Sequence, residues 1–204
     1  ILQIIDASTE SVKLSGMETS SDLIQLMPEI IKAAQGKLSS IGLNDSDETI
    51  KVINVIVYSM VKSLNGRDSF LPGTSAENGS SATETMLKKI SATSVAHLDE
   101  AGLDADASLN ASEQLVGSIV SSLDDAGVSA SELSGITRRV TSGAIDALDQ
   151  VTGLEPTDLG KAVKNITAGV IGAVDEISIQ GYSSDNLSSM VEGITAGATV
   201  ALGD

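Results

Sequence analysis

The sequence predicts an all-α protein made of tandem single-helix repeats, each about 26 residues long, that form an up-and-down helical array. Three observations support this prediction: a glycine recurs at a nearly constant spacing, helix start signals follow these glycines, and the apolar residues between them keep helical spacing. The recurring glycines, each with the residue behind it, are Gly16-Met17, Gly42-Leu43, Gly102-Leu103, Gly127-Val128, Gly153-Leu154 and Gly181-Tyr182, with Gly66-Arg67 as a degenerate member.

Each of these glycines is expected to end a helix. Glycine adopts the left-handed conformation that follows a last helical turn, and the apolar residue behind it can fold back on that turn. Start signals with capping-box spacing follow within a few residues: Asp45 with Glu48, Ser81 with Glu84, Asn110 with Glu113 and Ser129 with Glu132. Pro156 fits the first position of a helix, where its missing N–H costs nothing.

Apolar residues recur at three- and four-residue intervals between these signals, so each unit should form one amphipathic helix. Connections of about five residues make each helix run back beside its neighbour, which gives either an open solenoid or a closed bundle. No strand is expected. The predicted helices span 21–40, kinked or restarted at Pro28, and 45–65, 81–100, 110–126, 129–151, 155–178 and 183–202, with a shorter helix before Gly16.

Composition divides the chain into three parts. Residues 1–66 are predicted to form N-terminal helical repeats, 67–80 a Gly/Ser/Pro-rich linker loop, and 81–204 C-terminal acidic helical repeats, although one continuous domain is also compatible with the pattern. Residues 1–89 carry 8 basic and 11 acidic side chains (net −3), whereas residues 90–204 carry 4 and 17 (net −13). Such acidity is typical of a solvated surface, and a surface for cations or basic partners is the alternative.

A sharper motif occurs in the last three predicted helices. It consists of an apolar residue, Thr, a small residue and Gly, with Ala four residues after the Gly, at 140–147, 166–173 and 194–201. Because a mid-helix glycine costs roughly 0.5–1 kcal/mol relative to alanine, three at equivalent positions predict the close approach of a neighbouring helix. The same spacing of small residues also drives the association of helices in lipid bilayers. The interspersed acidic residues indicate a water-facing side and favour soluble packing: Asp146, Asp175, Glu176 and Glu192.

No catalytic constellation is present in the sequence. The absence of Cys removes thiolate nucleophiles, zinc ribbons and iron–sulfur clusters, and the single histidine, His97, is expected to be half-buried and structural. The acidic clusters at 44–48 and 104–106 lack the loop of a calcium-binding EF-hand. We therefore predict no catalytic, cofactor-binding or metal-binding residue and no enzyme activity.

Charge and hydropathy exclude two further classes. A net charge of −16 repels nucleic-acid phosphates, and no basic stripe with interleaved aromatic residues is present. The longest apolar run, 53–61, is far shorter than the roughly 20 residues that a spanning helix needs, so no transmembrane segment is expected. Because the chain starts at Ile1 without a signal-peptide pattern, it is expected to be a processed or excised product.

Five Asn-x-Ser/Thr sequons would be glycan acceptors in a secreted eukaryotic protein. We favour a structural explanation, because Asn and Ser both prefer helix starts. Asn165, inside a predicted helix, should be a poor acceptor. The sequons lie at Asn44, Asn78, Asn110, Asn165 and Asn186.

In composition and period, the tandem Ala/Ser/Gly-rich helical units are similar to secreted bacterial surface proteins and to the helical repeat domains of some silks, although the charge content departs from silk. The sequence therefore favours a non-enzymatic structural or adhesive protein of an extracellular or cell-surface assembly, whose repeats self-associate or bind another surface protein. The alternative is a helical module that holds a small apolar or lipid-like ligand. A membrane-active amphipathic protein is a third possibility, which the negative charge disfavours on anionic lipid surfaces.

Overall fold

The computed structural model describes residues 20–41, 43, 45–64, 82–174, 177 and 183–203. Seven α-helices lie in these parts of the chain: α1 (Ser20–Leu38), α2 (Ser46–Lys62), α3 (Ala82–Ala96), α4 (Ala105–Ser121), α5 (Leu133–Asp146), α6 (Leu159–Val174) and α7 (Ser184–Gly203). Short 3-10 turns follow α1 at Ser39–Ile41 and α5 at Leu148–Gln150. No strand occurs among the described residues, and the all-α prediction is confirmed.

The helices pack as an up-and-down array with two layers. Each helix makes its largest interface with the helix two positions away in the chain, so α1, α3, α5 and α7 form one layer and α2, α4 and α6 form the other. Successive helices make smaller contacts between the layers. Within the described parts of the chain, α1 and α7 share no extensive interface, so they lie at opposite ends of the first layer.

Three of the predicted glycine stops have the expected backbone conformation. Gly102, Gly127 and Gly153 have φ angles of 89°, 74° and 86°. At the first stop, the N–H of Leu103 donates to the carbonyl of Leu98 at 3.2 Å, and an equivalent bond of 3.1 Å follows the second stop. This bond is the signature of a Schellman turn, in which the apolar residue behind the glycine folds back over the last helical turn.

The start of α4 differs from the prediction. Asp104 is the N-cap, because its Oδ1 accepts a hydrogen bond of 2.9 Å from the N–H of Ala107. The predicted capping box of Asn110 and Glu113 is therefore wrong, since both residues lie inside the helix. There, Asn110 Oδ1 accepts a hydrogen bond of 3.2 Å from Gln114 Nε2.

The proline predictions fare differently. Pro28 lies inside α1, which is one helix, so the alternative of a restart at Pro28 is wrong and that of a kink stays a prediction. The prediction for Pro156 needs correction. Pro156 precedes α6 by three residues and lies in a turn, where the N–H of Asp158 donates to the carbonyl of Glu155 at 2.8 Å. Cap signals in this chain thus locate helix ends to within about two turns.

The core is aliphatic and continuous from Met27 to Ile194. Tyr58, the aromatic residue in the described part of the chain, is only partly buried, so Ile, Leu, Val, Ala and Met fill the space between the layers. Helices on both sides of residues 67–80 contact each other, because α1 packs on α3 and α2 packs on α4. Residues 67–80 and the helix expected before Gly16 lie outside the described residues, and the division into domains stays a prediction.

Candidate functional site

Three helices approach the helix two positions earlier so closely that the contact requires glycine. The glycines and the main-chain carbonyls that they face are Gly143 with Lys88, Gly169 with Glu113 and Gly197 with Arg138. A Cβ at the first glycine would lie 2.5 Å from the carbonyl oxygen, and at the other two it would lie closer still. Since real Cβ atoms do not come this near an oxygen, the predicted close approach is confirmed at all three positions. We call these the glycine contacts.

The residue that faces the glycine is charged in each glycine contact. A long charged side chain can extend to solvent from a backbone that is covered by another helix. Lys88 shows this arrangement, since its Nζ reaches past Gly143 to Asp146 Oδ2 at 2.7 Å. Both side chains of this ion pair are more than a third exposed, so the pair contributes little to stability compared with the backbone packing beneath it.

Two asparagine side chains make hydrogen bonds between neighbouring segments of one layer. Asn165 Nδ2 donates to the carbonyl of Leu109 at 3.3 Å, and Asn186 Nδ2 donates to the carbonyl of Ala130 at 3.2 Å. Each bond joins a residue to a carbonyl 56 positions earlier in the chain. Both side chains belong to predicted sequons, and their amide nitrogens are used for helix packing. Asn110 is exposed on α4.

The sequons at Asn44 and Asn78 lie outside the described residues.

A polar cluster ties α2 to the turn after α4. Tyr58 Oη donates to Asp125 Oδ2, and Lys62 Nζ lies 3.3 Å from the same oxygen. The hydrogen bonds from Tyr58 and Lys62 lower the pKa of the Asp125 carboxyl, and the same bonds raise the pKa of the Tyr58 hydroxyl and of the Lys62 ammonium. The Lys62 side chain is 57% exposed, so this cluster is a surface contact between helices rather than a buried reactive centre.

His97 is predicted to lie inside the helix at 81–100. In the structure it lies in the turn that follows α3, one residue after the end of that helix. Its side chain is 20% exposed and its Nδ1 lies 3.0 Å from Glu100 Oε1, so the half-buried position is confirmed. The neighbouring Asp99 accepts a hydrogen bond of 2.6 Å from Thr152 Oγ1. In the parts of the chain that the structure describes, no three His, Cys, Asp or Glu side chains cluster as metal ligands would. The absence of enzyme activity stays a prediction.

The grooves on the described surface include one along α7 and one between α1 and α3. One, of about 490 Å³, follows the outer side of α7 and is lined partly by Val191 and Val200. The other, of about 460 Å³, lies between α1 and α3 and is lined partly by Pro28 and Lys89. Both are open to solvent, whereas a site for a lipid-like ligand buries most of the ligand surface.

The last helix of each layer exposes large apolar side chains. Ile171 on α6 and Leu187 and Val191 on α7 are between 37% and 46% exposed. A Cβ at Gly172 of α6 would meet no atom within 4 Å, in contrast to the glycines between helices. Large exposed aliphatic side chains also occur at Ile41 and Val55, so they are not confined to these two helices. Sequence periodicity did not predict the exposure of Leu187, because its counterpart 54 positions earlier, Leu133 on α5, is buried.

These features define the class of protein as an all-α, up-and-down helical array. No protein-family model matches the chain, and no curated protein shows significant similarity to it. Among the described helices, none combines the length and apolar character needed to cross a membrane.

Proposed function

We propose that the protein is a non-enzymatic structural or adhesive component of an extracellular or cell-surface assembly, in which helical units stack on one another. The observation that carries this proposal is the recurrence of the glycine contact, which packs α5, α6 and α7 in turn on the helix two positions earlier. A fold that extends by repeating one contact can continue that contact between molecules. The extracellular or cell-surface location rests on the Ala/Ser/Gly-rich composition alone.

We also propose that the array is an open solenoid whose repeating unit is a pair of helices. Two equivalent bonds 54 residues apart support the pair as the unit: the N–H of Ser129 donates to Glu132 Oε2 at 3.1 Å, and the N–H of Ser183 donates to Asn186 Oδ1 at 2.9 Å. The period of about 26 residues in the sequence then corresponds to one helix of the pair.

Sedimentation equilibrium tests the proposal. The purified chain should show an average mass that rises with concentration, whereas a constant monomer mass from about 1 μM to about 1 mM would exclude stacking with a useful affinity. Surface labelling of intact source cells with an antibody against the folded chain tests the location, and labelling only after lysis would contradict it.

A helical module for a small apolar or lipid-like ligand is the second candidate function. The groove along α7 supports it, because Val191 and Val200 present an apolar lining. Stacking is better supported, since this groove is open to solvent and lies on the exposed end of the array. Native mass spectrometry distinguishes the two, because a bound ligand would add a discrete mass to the monomer and stacking would add whole chains.

A further inference from the structure

One side of α6 faces away from α4, the helix on which α6 packs. Gly169 lies against the α4 backbone, and a residue two positions away on a helix points about 200° round the axis. Thr167 and Ile171, each two positions from Gly169, therefore face away from α4. Lys164 lies seven residues before Ile171 and follows the same side of the helix. We call Lys164, Thr167 and Ile171 the end side of α6.

The corresponding side of α7 faces away from α5. Gly193 and Gly197 lie against the α5 backbone, and Val191 and Thr195 are each two positions from one of these glycines. By the same helical geometry, Val191 and Thr195 point away from α5, with Glu192 at the border of that side. We call Val191, Glu192 and Thr195 the end side of α7. Because α6 and α7 are the last helices of their layers in the described chain, the two end sides form one surface, which we call the end surface.

Exposed aliphatic side chains are concentrated on these two helices. Seven large apolar side chains are exposed in the described parts of the chain, and five of them belong to α6 or α7: Leu159, Ile171, Leu187, Val191 and Val200. Ile171 and Val191 lie on the end surface itself. A partner that covers this surface therefore removes apolar area from water, which favours association.

The two helices of the end surface carry charges of opposite sign. α6 contains Lys161 and Lys164 and no acidic residue, whereas α7 contains Asp185 and Glu192 and no basic residue. Lys161 is paired with Asp158 at 2.8 Å. Among the described residues, neither Lys164 nor Glu192 has an ion-pair partner, and both are exposed. The end surface thus presents an unpaired lysine on one helix and an unpaired glutamate on the next.

A second copy of the chain complements this surface. A two-fold axis that runs parallel to the helices, between α6 and α7, places α6 of each copy on α7 of the other. In this crossed arrangement Lys164 opposes Glu192 twice, and Ile171 of each copy lies on the aliphatic side of α7 of the other. Pairing α7 with α7 would oppose two glutamates, and pairing α6 with α6 would oppose two lysines. The α1 end of the array offers no such match, since Glu29 and Lys32 are both exposed on one helix.

We propose that two copies of this chain associate through the end surface in the crossed arrangement, so that two arrays join end to end into one of double length. This inference rests on the proposed function, because it names the partner and the surface of the self-association. The apolar residues supply the buried area, and the opposite charges select the crossed arrangement over the two uncrossed ones.

Charge reversal tests the proposal without adding bulk. Lys164→Glu and Glu192→Lys each make the crossed contacts like-charged, twice in every dimer, because a two-fold axis repeats each contact. Both positions are exposed, so the monomer should fold normally, and circular dichroism checks that the helix content is unchanged. Lys51→Glu, at an exposed position of α2 at the other end of the array, is the matched control for a reversed lysine. A chain with both reversals keeps the net charge of the wild type.

In sedimentation equilibrium, the average mass of the wild-type chain and of Lys51→Glu should rise with concentration to that of a dimer, and added salt should weaken the dimer by screening its charges. Each single reversal should weaken association by about tenfold. An equimolar mixture of Lys164→Glu and Glu192→Lys should restore the wild-type affinity as a heterodimer, because the two reversed residues then face each other and the two native ones do the same. The chain with both reversals should dimerise as the wild type does.

Four results would overturn the proposal, and they separate it from the proposed function. If the single reversals weaken association but neither the mixture nor the double reversal restores it, Lys164 and Glu192 do not face each other. If Glu192→Lys associates more tightly with the wild type than the wild type does with itself, two α7 helices pair. If both single variants associate as the wild type does, the copies use another surface. The proposed function stands in these three cases, whereas a wild type that stays monomeric throughout removes both proposals together.

Discussion

Gly169 of α6 lies directly over the main-chain carbonyl of Glu113 of α4, at a position where a Cβ would overlap the oxygen. The two residues are 56 positions apart, and the contact holds two helices of one layer at a separation that no larger residue permits. Gly143 and Gly197 make the equivalent contact in the other layer. This relationship underlies the first prediction.

Gly169→Ala should destabilise the protein by about 1–3 kcal/mol, because the added methyl group forces the α4 backbone away from α6. Gly172→Ala is the matched control on the same helix, where a Cβ meets nothing within 4 Å. Its higher helix propensity should stabilise the protein by about 0.5–1 kcal/mol. Urea unfolding followed by circular dichroism measures both. An equal change in the free energy of unfolding in the two variants would contradict the packing role of Gly169.

Gly102→Ala should destabilise the protein by about 1–2 kcal/mol for a different reason. A Cβ at this glycine would lie 3.7 Å from Ser39 Cβ, which is an ordinary contact, but the φ of 89° is one that alanine adopts poorly. Gly102→Asn should cost less, because asparagine tolerates the left-handed region better. Thermal unfolding of the two variants tests this order, and an asparagine variant less stable than the alanine variant would show that space rather than backbone conformation decides.

Asn186→Asp should destabilise the protein by about 1 kcal/mol at neutral pH. The carboxylate can still accept from the N–H of Ser183, as Asn186 Oδ1 does at 2.9 Å, but it cannot donate to the carbonyl of Ala130. Asn110→Asp is the control, since Asn110 Oδ1 accepts a bond from Gln114 that aspartate keeps.

A negative charge in the first turn of α7 is favourable by itself, so any measured loss underestimates the value of the bond to Ala130, in the turn before α5. Equal free energies of unfolding for Asn186→Asp and Asn110→Asp in chemical denaturation would show that the hydrogen bond donated by Asn186 contributes nothing to stability.

The pKa of Asp125 should make stability depend on pH on the acid side. Because the hydrogen bonds from Tyr58 and Lys62 lower this pKa in the folded state, the carboxylate contributes stability that is fully present above the ordinary value of about 3.9 and is lost as pH falls through the folded value. Tyr58→Phe removes the hydrogen bond that lowers the Asp125 pKa more than the bond from Lys62 does. The Asp125 pKa should therefore rise, and the stability of the protein should depend less on pH in the acid range.

Carboxyl NMR titration measures the Asp125 shift directly. Asp158, whose pKa is lowered by its hydrogen bond from Lys161, is the internal control, because that pair is not part of the Tyr58 cluster. An Asp125 pKa that stays unchanged in Tyr58→Phe would show that the phenol does not stabilise the carboxylate.

Local signals in the sequence located most of the helices and their ends. The stops at Gly102 and Gly127 follow from one residue's conformational freedom, and the cap at Asp45 follows from one side chain, whose Oδ1 accepts from the N–H of Asp47 at 2.8 Å. The predicted start of α4 was wrong because two possible cap residues lie six positions apart. Asp104 directly follows the Schellman turn and caps the helix, which leaves Asn110 in its interior.

By itself, the sequence determined that the chain is helical, where three of the helices stop, and that three glycines meet a neighbouring backbone, since each of these depends on residues within about one or two turns. Only the tertiary structure decided that the neighbour is the helix two positions away, and that Gly169 therefore faces Glu113. Apolar periodicity shows that one side of a helix is buried but does not show which helix buries it. For the same reason, Val191 on α7 is exposed although its helix has the pattern of the buried ones, because burial depends on a neighbour that the pattern cannot supply.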